Sequence, residues 1–167
     1  MINKLLLCSL FLCQISLADT LTLKQWDSNS LRQLSMHYHQ QPFLLVFWSL
    51  DCPACYKEFD TLSRWKRGYP GSHLIIVSTD SLAMASEVQD VLIEYQLNQS
   101  DTWIFANEPT AKIRNSIDSK WFGELPRRYF FDAQHQPHSH SGTLTTDQLN
   151  NWQTFITTKE TVTTHEY

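Results

Sequence analysis

A chain of 167 residues is long enough for one domain with a substantial core. Six Trp, nine Phe and six Tyr against only four Gly exclude a linker or low-complexity chain. Thirteen basic against 17 acidic residues, with no basic stripe and no Lys/Arg cluster, point away from nucleic acid and from a charged membrane surface.

The N-terminus reads as a separate object. Lys4 is the only charge before Asp19, Leu5 to Leu17 is largely apolar, and Ser16-Leu17-Ala18 places small residues at both recognition positions. This is the layout of a signal peptide cleaved after Ala18. The apolar run is short for a bilayer span and is interrupted by Ser9, Gln14 and Ser16, which leaves an uncleaved membrane anchor as the alternative. Residues 1–18 are then the leader, 19–158 the folded domain and 159–167 a polar tail expected to fray. Cleavage removes Cys8 and Cys13, so the mature chain keeps Cys52 and Cys55 alone. Losing Lys4 takes 13 basic residues to 12 against 17 acidic, a net charge of −5.

Trp26 to His39 reads as a helix, with Ser28 or Ser30 as its cap and Leu31, Leu34 and Tyr38 on one face. Phe43 to Trp48 is apolar without alternation, as in a central strand buried on both faces. A second helix starts around Pro53, and its inner face carries Cys55, Phe59 and Leu62. After a turn at Pro70-Gly71, His73 to Ser78 is another apolar strand. Ser86 to Gln89 fits a capping box, followed by Val88, Val91, Leu92 and Tyr95 at helical spacing. Trp103 to Ala106 is a third strand, and Pro109 suits the first turn of a helix through about Ile117.

This α-β-α-β-α-β-α alternation predicts an α/β domain with a mostly parallel sheet and helices on both faces. The end departs from it. Arg128 to Phe131 is a strand, Asp132 to His135 a tight turn, and His138 to Leu144 a returning antiparallel edge strand. Thr145 to Gln148 reads as a capping box for a final helix with Leu149, Trp152, Phe155 and Ile156 on one stripe. The sheet is therefore mixed, and the chain closes with a β-hairpin and a helix.

The chemistry gathers at Cys52-Pro53-Ala54-Cys55. With Pro53 in the first helical turn, Cys52 lies at the helix N-terminus, where unpaired N–H groups and the helix dipole favour a thiolate. Cys52 can then attack a disulfide, and Cys55, one turn on and more buried, can resolve the mixed disulfide. Zinc ligation is the alternative. A structural site needs about four ligands, which His135, His138 and His140 could complete only by coming together from far along the chain. A purely structural disulfide is a further alternative, although so short a loop constrains the unfolded chain little.

Trp48-Ser49-Leu50-Asp51-Cys52-Pro53-Ala54-Cys55, followed by Lys57-Glu58-Phe59, resembles the active-site segment of the thioredoxin superfamily, nearest to its exported TlpA/ResA/DsbE-like branch. The resemblance covers about Leu23 to Ile156. It implies a thioredoxin-like fold and a thiol–disulfide oxidoreductase, with no metal and no cofactor beyond the Cys52–Cys55 redox pair. Gly123-Glu124-Leu125-Pro126 looks like the superfamily's cis-proline loop; carried over, Pro126 is cis and Leu125 offers its backbone to substrate. Trp48, Asp51, Pro53 and Ala54 would line the same recognition surface.

Glu58 matches a glutamate that this branch places three residues beyond the second cysteine. It implies a proton acceptor for Cys55, with burial raising its pKa; a solvated glutamate beside Lys57 is the competing reading. Thioredoxin itself carries a buried acid in the preceding strand, where this chain has Val46. Asp51 departs from the Trp usual before the first cysteine, and its carboxylate should oppose thiolate formation at Cys52. Arg127 and Arg128 stand where small hydroxyl residues are common. They read as surface arginines, or as one arginine turned toward the site to offset Asp51 or hold an acidic partner.

The expected partners are exported, periplasmic proteins with cysteines or disulfides, with a membrane thiol electron donor for a reductase of the cytochrome c maturation type and the chain itself a monomer. A disulfide-forming oxidant is the runner-up. A copper metallochaperone resembling the Sco proteins is opposed by the two-residue gap between the cysteines. A binding module without catalysis is opposed by retention of both cysteines and Pro126.

Overall fold

The computed structural model describes residues 22–141 and 143–163, the side chains of 139–141 and 159–163 excepted. The expected leader, with Cys8 and Cys13, lies outside the described residues, as does the end of the tail.

The order of elements is β1 (Lys24–Trp26), α1 (Ser30–His37), β2 (Phe43–Trp48), α2 (Pro53–Gly68), β3 (His73–Ser78), α3 (Ala85–Glu94), β4 (Asp101–Phe105), α4 (Thr110–Ile117), β5 (Arg127–Phe131), β6 (Pro137–Ser141) and α5 (Thr146–Thr163). A single sheet runs β1-β4-β3-β2-β5-β6. The first four strands in that order are parallel, and β5 and β6 are antiparallel to their neighbours. This is the mixed sheet expected from the alternation followed by a hairpin.

β2 is the axis of the molecule. All six of its residues are buried, because its alternate side chains feed two different cores. Leu44, Val46 and Trp48 join Cys52, Cys55, Phe59 and Leu62 of the α2 segment, with α3 and α5 closing that layer. Phe43, Leu45 and Phe47 point the other way, toward Leu34 of α1, Ile113 of α4 and Trp121. Each large apolar side chain taken fully out of water stabilises the fold by about 1.5–3 kcal/mol, so a charge at Leu45 would break the second core outright.

The N-terminal helix starts later than its periodicity suggests. Trp26 ends strand β1 instead of opening the helix: its ring packs edge-on against Trp103 and Phe47, and its carbonyl accepts from Ala106 N–H at 2.8 Å. Asp27 makes the turn, with its carboxylate accepting from Asn29 N–H and Ser30 Oγ. Neither Ser28 nor Ser30 caps the helix, whose N-cap is Asn29.

The capping box at Ser86 to Gln89 does not form. A 3₁₀ turn at Leu82–Met84 leads into α3 with Met84 at the N-cap, so Ser86 already lies inside the helix. The box at Thr145 does form, with Thr145 N–H donating to Gln148 Oε1 at 3.0 Å and Gln148 N–H to Thr145 Oγ1 at 3.2 Å. Helix α5 continues to Thr163, past Lys159 where fraying was expected.

Candidate active site

Strand β2 delivers Trp48, and a four-residue turn leads to Cys52 at the N-cap of α2, with Pro53 in the first turn. Proline fits there because it has no N–H to leave unsatisfied. Cys52 and Cys55 form a disulfide, with S–S 2.02 Å and Cα–Cα 5.3 Å. The Cys52 sulfur also accepts from Cys55 N–H at 3.2 Å, so a helix N-terminal donor is aimed at this sulfur and would stabilise negative charge on it. Cys52 is 7 % exposed and Cys55 1 %, which makes Cys52 the outer sulfur. Among the described residues no group of three metal-type ligands occurs. Of the three histidines, His135 is 3.0 Å from the Tyr38 carbonyl through Nε2, His138 is exposed, and the His140 side chain lies outside the described residues.

The turn before Cys52 is braced from β3. Asp80 accepts from Leu50 N–H at 3.0 Å and from Ser78 Oγ at 2.6 Å, Thr79 N–H donates to the Trp48 carbonyl at 2.8 Å, and Tyr56 Oη donates to the Leu50 carbonyl at 3.1 Å. Burial first, then the Asp80 carboxylate, push the Tyr56 phenol up and keep it a donor. Nothing in the reading of the sequence singled out Asp80. The available signal was its position just past the carboxyl end of a parallel strand, where such sheets assemble their sites.

Trp48 is not part of a recognition surface. It is fully buried beneath the turn, edge-on to Phe59 with ring centroids 4.9 Å apart, because it ends a strand covered on both sides. Asp51 and Pro53 are exposed and Ala54 half-buried, so these three form the outer rim of the disulfide.

Glu58 is 1 % exposed, and the solvated reading is overturned. Its Oε1 accepts from Arg128 at 2.7 Å and from Leu144 N–H at 2.5 Å, while Oε2 has no hydrogen-bond partner among the described residues. Burial pushes its carboxyl up, opposed by the Arg128 guanidinium and the Leu144 N–H. Arg128 is itself 1 % exposed, so the surface reading of the arginines fails. It sits on β5 directly across from Val46, and one buried ion pair therefore joins the cysteine helix to the strand that follows Pro126.

Arg127 points to the opposite layer. It pairs with Asp118 at 2.8 Å and Glu124 at 3.1 Å and donates to Tyr129 Oη at 3.0 Å. These partners brace the loop ahead of β5, in which the Leu125–Pro126 bond is cis. Leu125 packs against the cluster that holds both cysteines. Gly123 has φ +108°, a conformation that favours glycine, and a Cβ there would meet the Arg114 guanidinium at 3.3 Å, so that side chain would have to give way slightly.

The structure thus brings together a Cys-x-x-Cys disulfide at a helix N-terminus and a cis-proline loop packed against the same core. No family model matches the chain, and no curated protein matches its sequence. Solved structures do match its fold. A secreted Mycobacterium tuberculosis disulfide oxidoreductase homologous to E. coli DsbE is 20 % identical, with 70 % of this chain and 83 % of that chain covered at TM-score 0.56. A thioredoxin-family thiol:disulfide interchange protein from Chlorobium tepidum is 11 % identical, covering 73 % and 83 % at TM-score 0.60. The thioredoxin domain of a Bacteroides vulgatus thiol-disulfide oxidoreductase is 18 % identical, covering 72 % and 83 % at TM-score 0.57. The chain has the thioredoxin-like fold.

Proposed function

We propose that this protein is an exported thiol–disulfide oxidoreductase that reduces disulfides in other exported proteins, drawing electrons from a membrane thiol donor. The observation that carries the reading is the Cys52–Cys55 disulfide with its outer sulfur at the helix N-cap. In the reduced protein the Cys52 thiolate attacks one sulfur of the substrate disulfide. That S–S bond breaks, the departing thiolate takes a proton, and a Cys52–substrate mixed disulfide remains. Cys55 loses its proton, with Glu58 as the proposed acceptor, and attacks the Cys52 sulfur. The second substrate thiol leaves, and the Cys52–Cys55 disulfide forms. The substrate gains two electrons and the cysteine pair loses two.

Leu125 offers its backbone to the substrate chain, and Asp51, Pro53 and Ala54 form the rim that chain meets. The reducing direction is supported by Asp51. A carboxylate beside the nucleophile disfavours its thiolate, and a dithiol whose thiolate is poorly stabilised gives up electrons more readily. Export is supported by the leader-like residues 1–18.

Equilibration against glutathione buffers tests the direction. A midpoint closer to about −270 mV than to about −120 mV is expected, and the higher value would make the protein a disulfide-forming oxidant. Cys52→Ser should abolish exchange, whereas Cys55→Ser should accumulate the mixed disulfide, read by intact mass. Copper or zinc bound stoichiometrically to the purified protein would favour metal delivery instead.

A further inference from the structure

Phe122 is 87 % exposed, four residues before the cis-proline. Lone exposed apolar side chains are ordinary on protein surfaces, and the structure has others, such as Met36 and Ile93. Phe122 differs in what holds it there. On one side Trp121 is buried, packs on Phe47 with centroids 4.7 Å apart, and donates from Nε1 to the Glu124 carbonyl at 3.0 Å. On the other, Gly123 turns the chain beneath Arg114, and Arg127 ties Asp118 to Glu124 across the loop. The loop is fastened at both ends of the exposed ring, so its presentation to solvent is fixed by the fold.

From these contacts, and resting on the exchange activity proposed above, we infer that Phe122 is a specificity-determining residue that receives an apolar side chain of the substrate polypeptide. Four residues of chain place the Phe122 Cα at most about 14 Å from that of Pro126. An extended substrate lying along Leu125 advances about 3.3 Å per residue. The side chain that meets Phe122 is therefore within about four residues of the substrate residue that lies along Leu125. A side chain carried on a backbone fastened at both flanks gives contact area with little backbone ordering cost on binding, as at the anchor positions of other interfaces.

The test uses the full-length mature protein, reduced, with three probes. One is oxidised glutathione. The others are two synthetic heptapeptides, each with a central cysteine as its glutathione mixed disulfide, and with either leucine or serine three residues away on both sides. Phe122→Ser should lower the second-order rate for the leucine peptide by about fivefold to tenfold. The serine peptide and oxidised glutathione should change less than about twofold, and Phe122→Leu should restore much of the leucine-peptide rate. Equal rates for both peptides in the wild type, or a uniform fall across all three probes, would overturn the inference. A wild type inert toward oxidised glutathione would remove the activity itself and this inference with it.

Discussion

Arg127 and Arg128 are neighbours on one strand, yet they inhabit different electrostatic worlds. Arg128 faces the disulfide layer, where it and Glu58 are each 1 % exposed and paired at 2.7 Å. Arg127 faces the other layer, at a margin where Asp118 and Glu124 still reach water and Tyr129 adds a third contact. The buried pair is all-or-none, since either ion left alone in the core has no solvent to fall back on. The marginal cluster shares its charge among several partners, and water reaches both of its carboxylates.

The sharpest way to break that contrast is at Arg128. Arg128→Met should cost about 3–5 kcal/mol by leaving the buried Glu58 carboxyl without its counter-ion, measured by denaturant unfolding at neutral pH. The double variant Glu58→Leu/Arg128→Met should recover most of that loss, because a packed apolar pair is often no worse than a buried ionic one. Failure to recover would mean the pair does more for stability than neutralise itself.

Arg127→Met should cost less, about 1–2 kcal/mol, since both of its carboxylate partners can turn to water. Equal losses at the two positions would erase the distinction between the layers.

A pH series sharpens the comparison further. Burial holds the Glu58 carboxyl above its usual 4.5 despite Arg128, so the folded state binds that proton more tightly than the unfolded chain. Its contribution is fully present below about pH 4.5 and is lost as pH rises through the folded-state value. The stability of the wild type relative to Glu58→Gln should accordingly fall as pH rises above about 4.5 through the folded-state value. Over the same range Glu58→Gln should slow the resolution step in stopped-flow kinetics; unchanged resolution would remove Glu58 from the exchange chemistry.

Asp118 should show the opposite sign and the smallest effect. The Lys120 N–H, then Arg127 and Tyr129, hold its carboxyl below the usual range against some burial. Its stabilisation is present above the unfolded value and lost as pH falls through the folded one. Asp118→Asn should cost under about 1 kcal/mol near neutrality, with the deficit vanishing in acid.

Much of the site was legible because its parts are local. An apolar strand, a Cys-Pro-x-Cys helix start and a proline ahead of the last hairpin are each written in consecutive residues. What was lost depended on residues distant in the chain. Trp26 carries the spacing of a helix, but Trp103 and Phe47 draw it into the sheet. Arginine is so seldom buried that two in a row read as surface, and only the β2–β5 register reveals that one of them lies over the cysteine helix. Asp80 gives no local sign that it holds the turn before Cys52. Trp48 belongs to the recognisable motif, yet its place at the end of a doubly covered strand makes it packing.

The hydrogen bond from Leu144 N–H to Glu58 Oε1 has a practical consequence for engineering. It fastens the junction between the closing hairpin and α5 to the carboxylate one turn beyond Cys55. The C-terminal quarter of the chain is thus tied to the helix that carries both cysteines, although it contributes no cysteine itself. Trimming the protein after β6, or grafting a different terminal helix onto it, would change the surroundings of Glu58 as well as the scaffold. A fusion partner is better attached beyond Thr163 than spliced in near Leu144.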